Sequence, residues 1–239
     1  MSFAPIQPGG TPAARWLGRL TALVVPFVVP VLLAQAAQAG TNTYGGRWHM
    51  NETSGSTMKD SSGNGNDGTL SHVTLGVPGF RGTAYSFNGS NSLVTVPSSG
   101  SLNPGSKRFT LVVHVKFSVV PPPSVGDYDL IRKGFSGTNG GDYKMEILST
   151  GKASCHWTGS NGSTPDTKPG LHNLADNKWH TIRCIKGNNS EKLVVDGVLQ
   201  WTQNVTVGSI SNTESLTLGG KSTGGDWYNG TMDEVSLVY

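Results

Sequence analysis

Between Phe109 and Phe117 the chain alternates without a break. Phe109, Leu111, Val113, Val115 and Phe117 fall on one side, and Thr110, His114 and Lys116 on the other. Successive side chains of an extended strand point to opposite faces, so a period of two predicts a half-buried β-strand with a defined core side. Shorter runs of the same kind occur at Arg47–Asn51, Ala84–Phe87, Leu93–Val96, Tyr128–Lys133 and Tyr143–Leu148. Others lie at Lys152–Trp157, Trp179–Ile185, Lys192–Val195, Ser215–Leu218 and Met232–Tyr239. Turn dipeptides separate nearly all of them: Asn88-Gly89, Pro104-Gly105, Asn161-Gly162, Asp196-Gly197 and Asn229-Gly230. Asp196-Gly197, set between Leu193-Val194-Val195 and Val198-Leu199, predicts a hairpin with a turn of the primed type.

No stretch keeps a 3.6-residue apolar period for three turns, and no repeat of fixed length is present. Of the 239 residues 33 are glycine and only 14% are charged, which excludes a helical bundle rich in Ala, Leu, Glu and Lys. Valine, leucine and tryptophan recur throughout and net charge is small, which excludes a disordered chain. The expectation is one all-β sandwich of about eleven strands, with Pro121–Pro123 as a loop inside it.

Residues 1–39 read as an export signal. Arg15 and Arg19 precede the apolar run Leu20–Leu33, which Pro26 and Pro30 interrupt, and Ala37-Gln38-Ala39 fits a small-residue cleavage site before Gly40. Ala34-Gln35-Ala36 is a second cleavage option, and an uncleaved anchor is the alternative for the whole segment. The run is shorter than the ~20 residues that span a bilayer. A secreted domain over residues 40–239, without a membrane span, is therefore expected. Two of the 18 basic side chains precede position 40, which leaves 16 basic against 15 acidic and no electrostatic reason to expect nucleic acid as a partner. Export also favours pairing Cys155 with Cys184, 29 positions apart; two buried thiols are the alternative. Their number and spacing exclude a C-x-x-C redox pair or zinc site.

Several phrases, in order, carry a family resemblance. They are Trp48-His49-Met50-Asn51-Glu52, Gly55 to Asn64, Tyr85-Ser86-Phe87-Asn88-Gly89, and Asn177-Lys178-Trp179-His180 running on to Cys184. Leu193-Val194-Val195-Asp196-Gly197-Val198, Leu218-Gly219-Gly220 and Asn229 to Val235 follow. Over about residues 44–239 the chain resembles the laminin-G-like jelly roll of the concanavalin A-like lectin and glucanase superfamily. The resemblance implies two stacked antiparallel sheets, one of them curved, and is similar to some bacterial members in its cysteine pair. It also implies that a calcium ion can sit where an early loop meets the last strand, with Asp60, Asn64 and Asp233 as candidate ligands. The oxygen-rich, glycine-rich run Asp60–Gly68 suits calcium, which accepts carboxylate, amide and backbone oxygens in loose geometry; a plain Asx/Gly turn is the other reading. An EF-hand is rejected, because its twelfth position is Ser71 and no helices flank it.

The same sandwich serves lectins, glucanases and adhesion modules, so activity has to be sought in particular residues. A glucanase needs two carboxylates flanking a sugar bond, usually alternating along one strand. Tyr143–Leu148 offers Glu146 alone, and Asp233 and Glu234 are adjacent and so face opposite ways. G-x-S-x-G, H-E-x-x-H and phosphate-loop motifs are missing, and the six histidines are scattered. His180 reads as packed or hydrogen-bonded at a strand position. A pyranose face stacks on indole rings while Asn, Asp and Gly bind its hydroxyls. Trp157, Trp201, Trp227 and Tyr228 are therefore candidate ligand contacts at strand ends or loops, whereas Trp48 and Trp179 read as core. N-x-S/T triplets begin at Asn51, Asn88, Asn161, Asn188, Asn204 and Asn229, acceptors only in a host that glycosylates exported proteins. The expectation is a secreted, non-catalytic module that binds carbohydrate or a glycosylated surface. The alternatives are a polysaccharide-cleaving hydrolase or lyase and a protein–protein adhesion module. Oligomeric state is not legible.

Overall fold

A computed structural model describes residues 43–165 and 168–239. The expected export signal, residues 1–39, lies outside the described residues. Strands β1 (Tyr44–Trp48), β2 (Thr57–Met58), β3 (Gly68–Ser71), β4 (Thr74–Pro78), β5 (Thr83–Asn88) and β6 (Leu93–Val96) lead to one 3-10 turn, Gly100–Leu102. Next come β7 (Phe109–Lys116), β8 (Asp127–Lys133), β9 (Asp142–Leu148), β10 (Ala153–Thr158) and β11 (His180–Lys186). The chain continues with β12 (Glu191–Val195), β13 (Val198–Gln203), β14 (Leu216–Leu218) and β15 (Asn229–Val238). No described helix is long and apolar enough to cross a membrane.

These strands form two antiparallel sheets. The eight-stranded sheet runs β13-β12-β11-β7-β15-β5-β4, with β1 added against β15. The seven-stranded sheet runs β10-β9-β8-β14-β6-β3-β2. Every expected strand is present within a few residues. The unforeseen ones, β2, β3 and β4, are short: β2 has two residues, too few for a period, and β3 and β4 carry Gly or Pro, which weakens one. At the β12–β13 turn Asp196 and Gly197 both have positive φ, +51° and +79°, the geometry that a primed turn demands.

Alternation sets the core. In β7 the pattern is strictly buried at Phe109, Leu111, Val113 and Val115 and half-buried between. β7 lies between β11 and β15, so its inward face meets the other sheet along its length. Phe109 makes an edge contact with Trp157 at 5.0 Å and another with Tyr143 at 5.5 Å, both from the seven-stranded sheet. At the opposite end Tyr228 gathers Phe87, Phe117 and Tyr128 at 5.8–6.1 Å. Such edge-on pairs add to area burial by about 0.5–1.5 kcal/mol each. Cys155 of β10 and Cys184 of β11 form a disulfide that ties one sheet to the other, with Cα atoms 5.6 Å apart.

β15 organises the molecule's middle. Its first half pairs with β5 and its second half with β1 along one edge, while β7 lines the other. A bulge interrupts the β7 pairing between Asp233 and Ser236, and Glu234 within it has φ +47°. A non-glycine residue in that region is strained, and bulges of this kind re-aim a side chain.

Candidate functional site

The loop expected to hold calcium is closed by its own hydrogen bonds. Asp60 Oδ1 accepts from the amides of Arg47 (3.0 Å) and Ser62 (2.9 Å). Its Oδ2 accepts from the Ser62 hydroxyl (2.7 Å) and the Asn66 amide (2.9 Å). The Asn64 side chain donates to the carbonyls of Tyr44 (2.7 Å) and Gly45 (3.2 Å), and so fastens the loop to β1, the neighbour of β15. Asp233 is fully buried, and it serves a different turn: Oδ2 accepts from the Arg81 amide (2.9 Å) and Oδ1 from the Glu234 amide (2.8 Å). Burial pushes its pKa up, against the lowering effect of those amides. Asp60 and Asn64 thus meet at β1, and Asp233 engages other donors.

The four aromatics proposed for ligand contact do not share one place. Trp157 faces inward from β10 and is 1% exposed, and Tyr228 is 0% exposed, with its hydroxyl donating to backbone carbonyls such as Thr231 (3.0 Å). Both are corrected to core residues. The two-residue period turns Trp157 onto the same side as Ala153 and Cys155, and the Phe87–Phe117–Tyr128 cluster swallows Tyr228. Trp201 lies on edge strand β13, half-buried against the core. Trp179, expected in the core, is instead half-buried and meets the exposed Phe80 edge-on at 6.1 Å.

Trp227 alone of the four lines a concavity of about 440 Å³. The proline-rich β7–β8 loop supplies Val119, Pro122, Ser124 and Val125, the glycine-rich β14–β15 loop supplies Asp226 and Trp227, and β15 begins with Asn229 at its rim. Val119 and Val125 are 50% and 44% exposed, which gives the hollow an apolar wall open to solvent. The ring is held from below: a Cβ on Gly220 would stand 2.5 Å from it, so only glycine lets the indole lie on the backbone there. Asp226 is paired with Lys221, and its carbonyl accepts from the Asp129 amide (2.9 Å), which pins the loop to β8. The result is a half-exposed aromatic face ringed by hydroxyl, carboxylate and amide groups.

A second cluster draws its acids from two neighbouring strands. Asp127 and Asp129 of β8 and Glu146 of β9 bring carboxylate oxygens within 4.8 Å of one another. Asp129 is the cross-strand partner of Glu146, so the acids come from neighbouring strands. Lys144 contacts Glu146 and reaches Asp127 (3.3 Å) and Asp129 (3.7 Å), and Arg132 pairs with Asp129. Burial lifts the Asp129 pKa to about 6, with Arg132 and Lys144 opposing and Asp127 assisting. A hollow of about 460 Å³ opens over this face, which Asp142 and His156 also line. The legible signal was Asp127-x-Asp129 followed by Lys144-x-Glu146, two same-face pairs on successive strands. His180, for its part, bridges Asp196 (2.7 Å) and Asp176 (3.0 Å) beside the β12–β13 hairpin.

A family model described as the concanavalin A-like lectin/glucanases superfamily matches residues 88–239. Among solved structures, the binding domain of Paraclostridial Mosquitocidal Protein 1 aligns with a TM-score of 0.65 at 16% identity, over 82% of this chain and 48% of that one. The botulinum neurotoxin serotype D binding domain gives 0.62 at 14%, over 82% and 47%. The binding domain of botulinum neurotoxin DC in complex with SialylT gives 0.61 at 16%, over 83% and 48%. This chain thus spans about half the length of the structures it resembles, and at these identities the likeness is one of fold. No curated protein matches the sequence significantly.

Proposed function

This chain belongs to the concanavalin A-like lectin/glucanase superfamily, and from that premise we propose that it is an exported, non-catalytic binding module whose ligand is a carbohydrate held at Trp227. The observation that carries the reading is the Trp227 concavity. An indole face offers the apolar platform on which the C–H face of a sugar stacks, and Ser124 and Asn229 line the same concavity with groups that can pair with hydroxyls. The Cys155–Cys184 bond supports export, because such bonds persist in oxidising compartments. The structural neighbours that are binding domains, one of them in complex with SialylT, support a binding role.

The test is a glycan array followed by titration calorimetry of the best ligand. Trp227→Ala is expected to weaken binding by about fivefold or more, by analogy with base–aromatic stacking, which is worth ~1–3 kcal/mol. Equal binding by the variant, or no glycan bound at all, refutes the reading.

A second reading rests on Asp129 and Glu146. One carboxyl with a pKa of about 6 beside another acid is the kind of pair that hydrolyses glycosides. Lys144 and Arg132 occupy those carboxylates as counter-ions, which favours the binding reading. Sustained release of reducing ends by the purified protein, abolished in Glu146→Gln, decides for the enzyme.

A further inference from the structure

The outer face of the eight-stranded sheet holds a groove of about 470 Å³ that crosses β1, β15, β7 and β11. Arg47 of β1, Arg81 of the β4–β5 turn and Arg183 of β11 line it, together with Tyr44, His114 and Glu234. Arg81 and Arg183 are exposed, Arg47 is half-buried, and no described carboxylate lies within ion-pair distance of any of the three. The one acid in the groove is already engaged. Glu234, turned by the β15 bulge, meets His49 Nδ1 at 3.0 Å through both of its oxygens. In a domain with 16 basic and 15 acidic side chains, three unpaired guanidiniums in one groove are a local excess that composition does not require.

We propose that this groove is an oxyanion site in which Arg47, Arg81 and Arg183 take the sulfate or carboxylate groups of an acidic saccharide. The guanidinium fork matches the two oxygens of either group, and such charge-assisted pairs are about twice as strong as neutral hydrogen bonds. Arg81 and Arg183 line the groove together with His114. The His114 pKa is lowered chiefly by burial, against the raising effect of Glu234, and the Arg81 and Arg183 charges lower it further. The His114 ring, which lines the groove beside them, is stacked on Phe80 at 4.0 Å. The Arg47 guanidinium lies over the Tyr44 ring at 5.0 Å, and both residues line the groove. Thr110 and Ser236 add hydroxyls to the floor. The volume suits one or two sugar rings.

The proposal is independent of the Trp227 pocket, and the two fail separately. The experiment titrates the full chain with sulfated dextran oligosaccharide, oligogalacturonate, neutral dextran oligosaccharide and inorganic sulfate, at two salt concentrations. The sulfated or the uronate arm is expected to bind more weakly at higher salt, and which of the two binds names the source of the oxyanion. Arg81→Ala and Arg183→Ala, both at exposed positions, are each expected to lose tenfold or more of the acidic-saccharide affinity with unchanged melting temperature. The proposal is overturned if neither acidic saccharide binds, if neutral dextran binds equally, or if the Arg81→Ala/Arg183→Ala double variant stays within twofold of wild type. Equal affinity for inorganic sulfate also overturns it, leaving a site for an adventitious ion only.

Discussion

Removing the Cys155–Cys184 bond tests how the two sheets are held together. The bond joins β10 to β11 across the core, closes a loop of 29 positions, and its cysteines are 2% and 0% exposed. In the chain-entropy model a loop of that length restricts the unfolded ensemble by about 3.5 kcal/mol. A domain of about 200 residues unfolds with an entropy of about 0.4 kcal/mol/K at its midpoint, so the loss corresponds to about 9 °C in melting temperature. The perturbation is the double variant Cys155→Ala/Cys184→Ala, which leaves no unpaired polar atom at the site. Its melting curve is compared with those of the oxidised and the reduced wild type by calorimetry. Reduced wild type and variant should agree with each other and fall about 9 °C below the oxidised protein. A fall of less than about 3 °C would mean that native strain cancels the entropic gain. Alkylation of both cysteines without prior reduction would refute the bond itself.

Trp157→Ala should destabilise the fold by about 3–5 kcal/mol through the cavity it leaves under Phe109, while Trp227→Ala should cost under about 1 kcal/mol; denaturant titration separates them. His180 gives a pH dependence. Burial opposes its charge, but Asp196 and Asp176 outweigh burial and raise its pKa, so its contribution is full below about 6.5 and is lost as pH rises through the raised value. Asp176, held down to about 2 first by the hydrogen bond from His180, contributes above about 4 and loses that on acidification. The melting-temperature gap between wild type and His180→Gln should therefore be widest between about pH 4 and 6.5 and should narrow toward pH 8. Asp60→Ala removes the acceptor of four hydrogen bonds and should cost about 2 kcal/mol in chemical denaturation. Calcium added after EDTA treatment tests the proposed structural ion: a rise in melting temperature that Asp60→Ala abolishes supports it, and an unchanged curve assigns the loop to hydrogen bonding alone.

Strand content, the hairpin at Asp196-Gly197, the inward face of β7 and the pairing of two cysteines were all legible in the sequence. Each depends on neighbours one or two positions apart, or on a count of two. The site was legible only in fragments. Trp227 and Trp157 look alike in sequence, each an aromatic beside polar residues, yet one lines a concavity and the other fills the core. The difference is set by which strand face points at the opposite sheet, and by the glycine at 220 that lets a ring lie on the backbone. Asp129 and Glu146 meet because β8 and β9 pair in one register out of several, with a bulge between Asp129 and Ile131. Arg47, Arg81 and Arg183 are brought to one groove by β1, a turn and β11, segments that only the order of strands in the sheet makes neighbours. Local alternation fixes what a residue shows to its own strand, whereas register and strand order decide which distant residues share a surface, and binding surfaces are made of the latter.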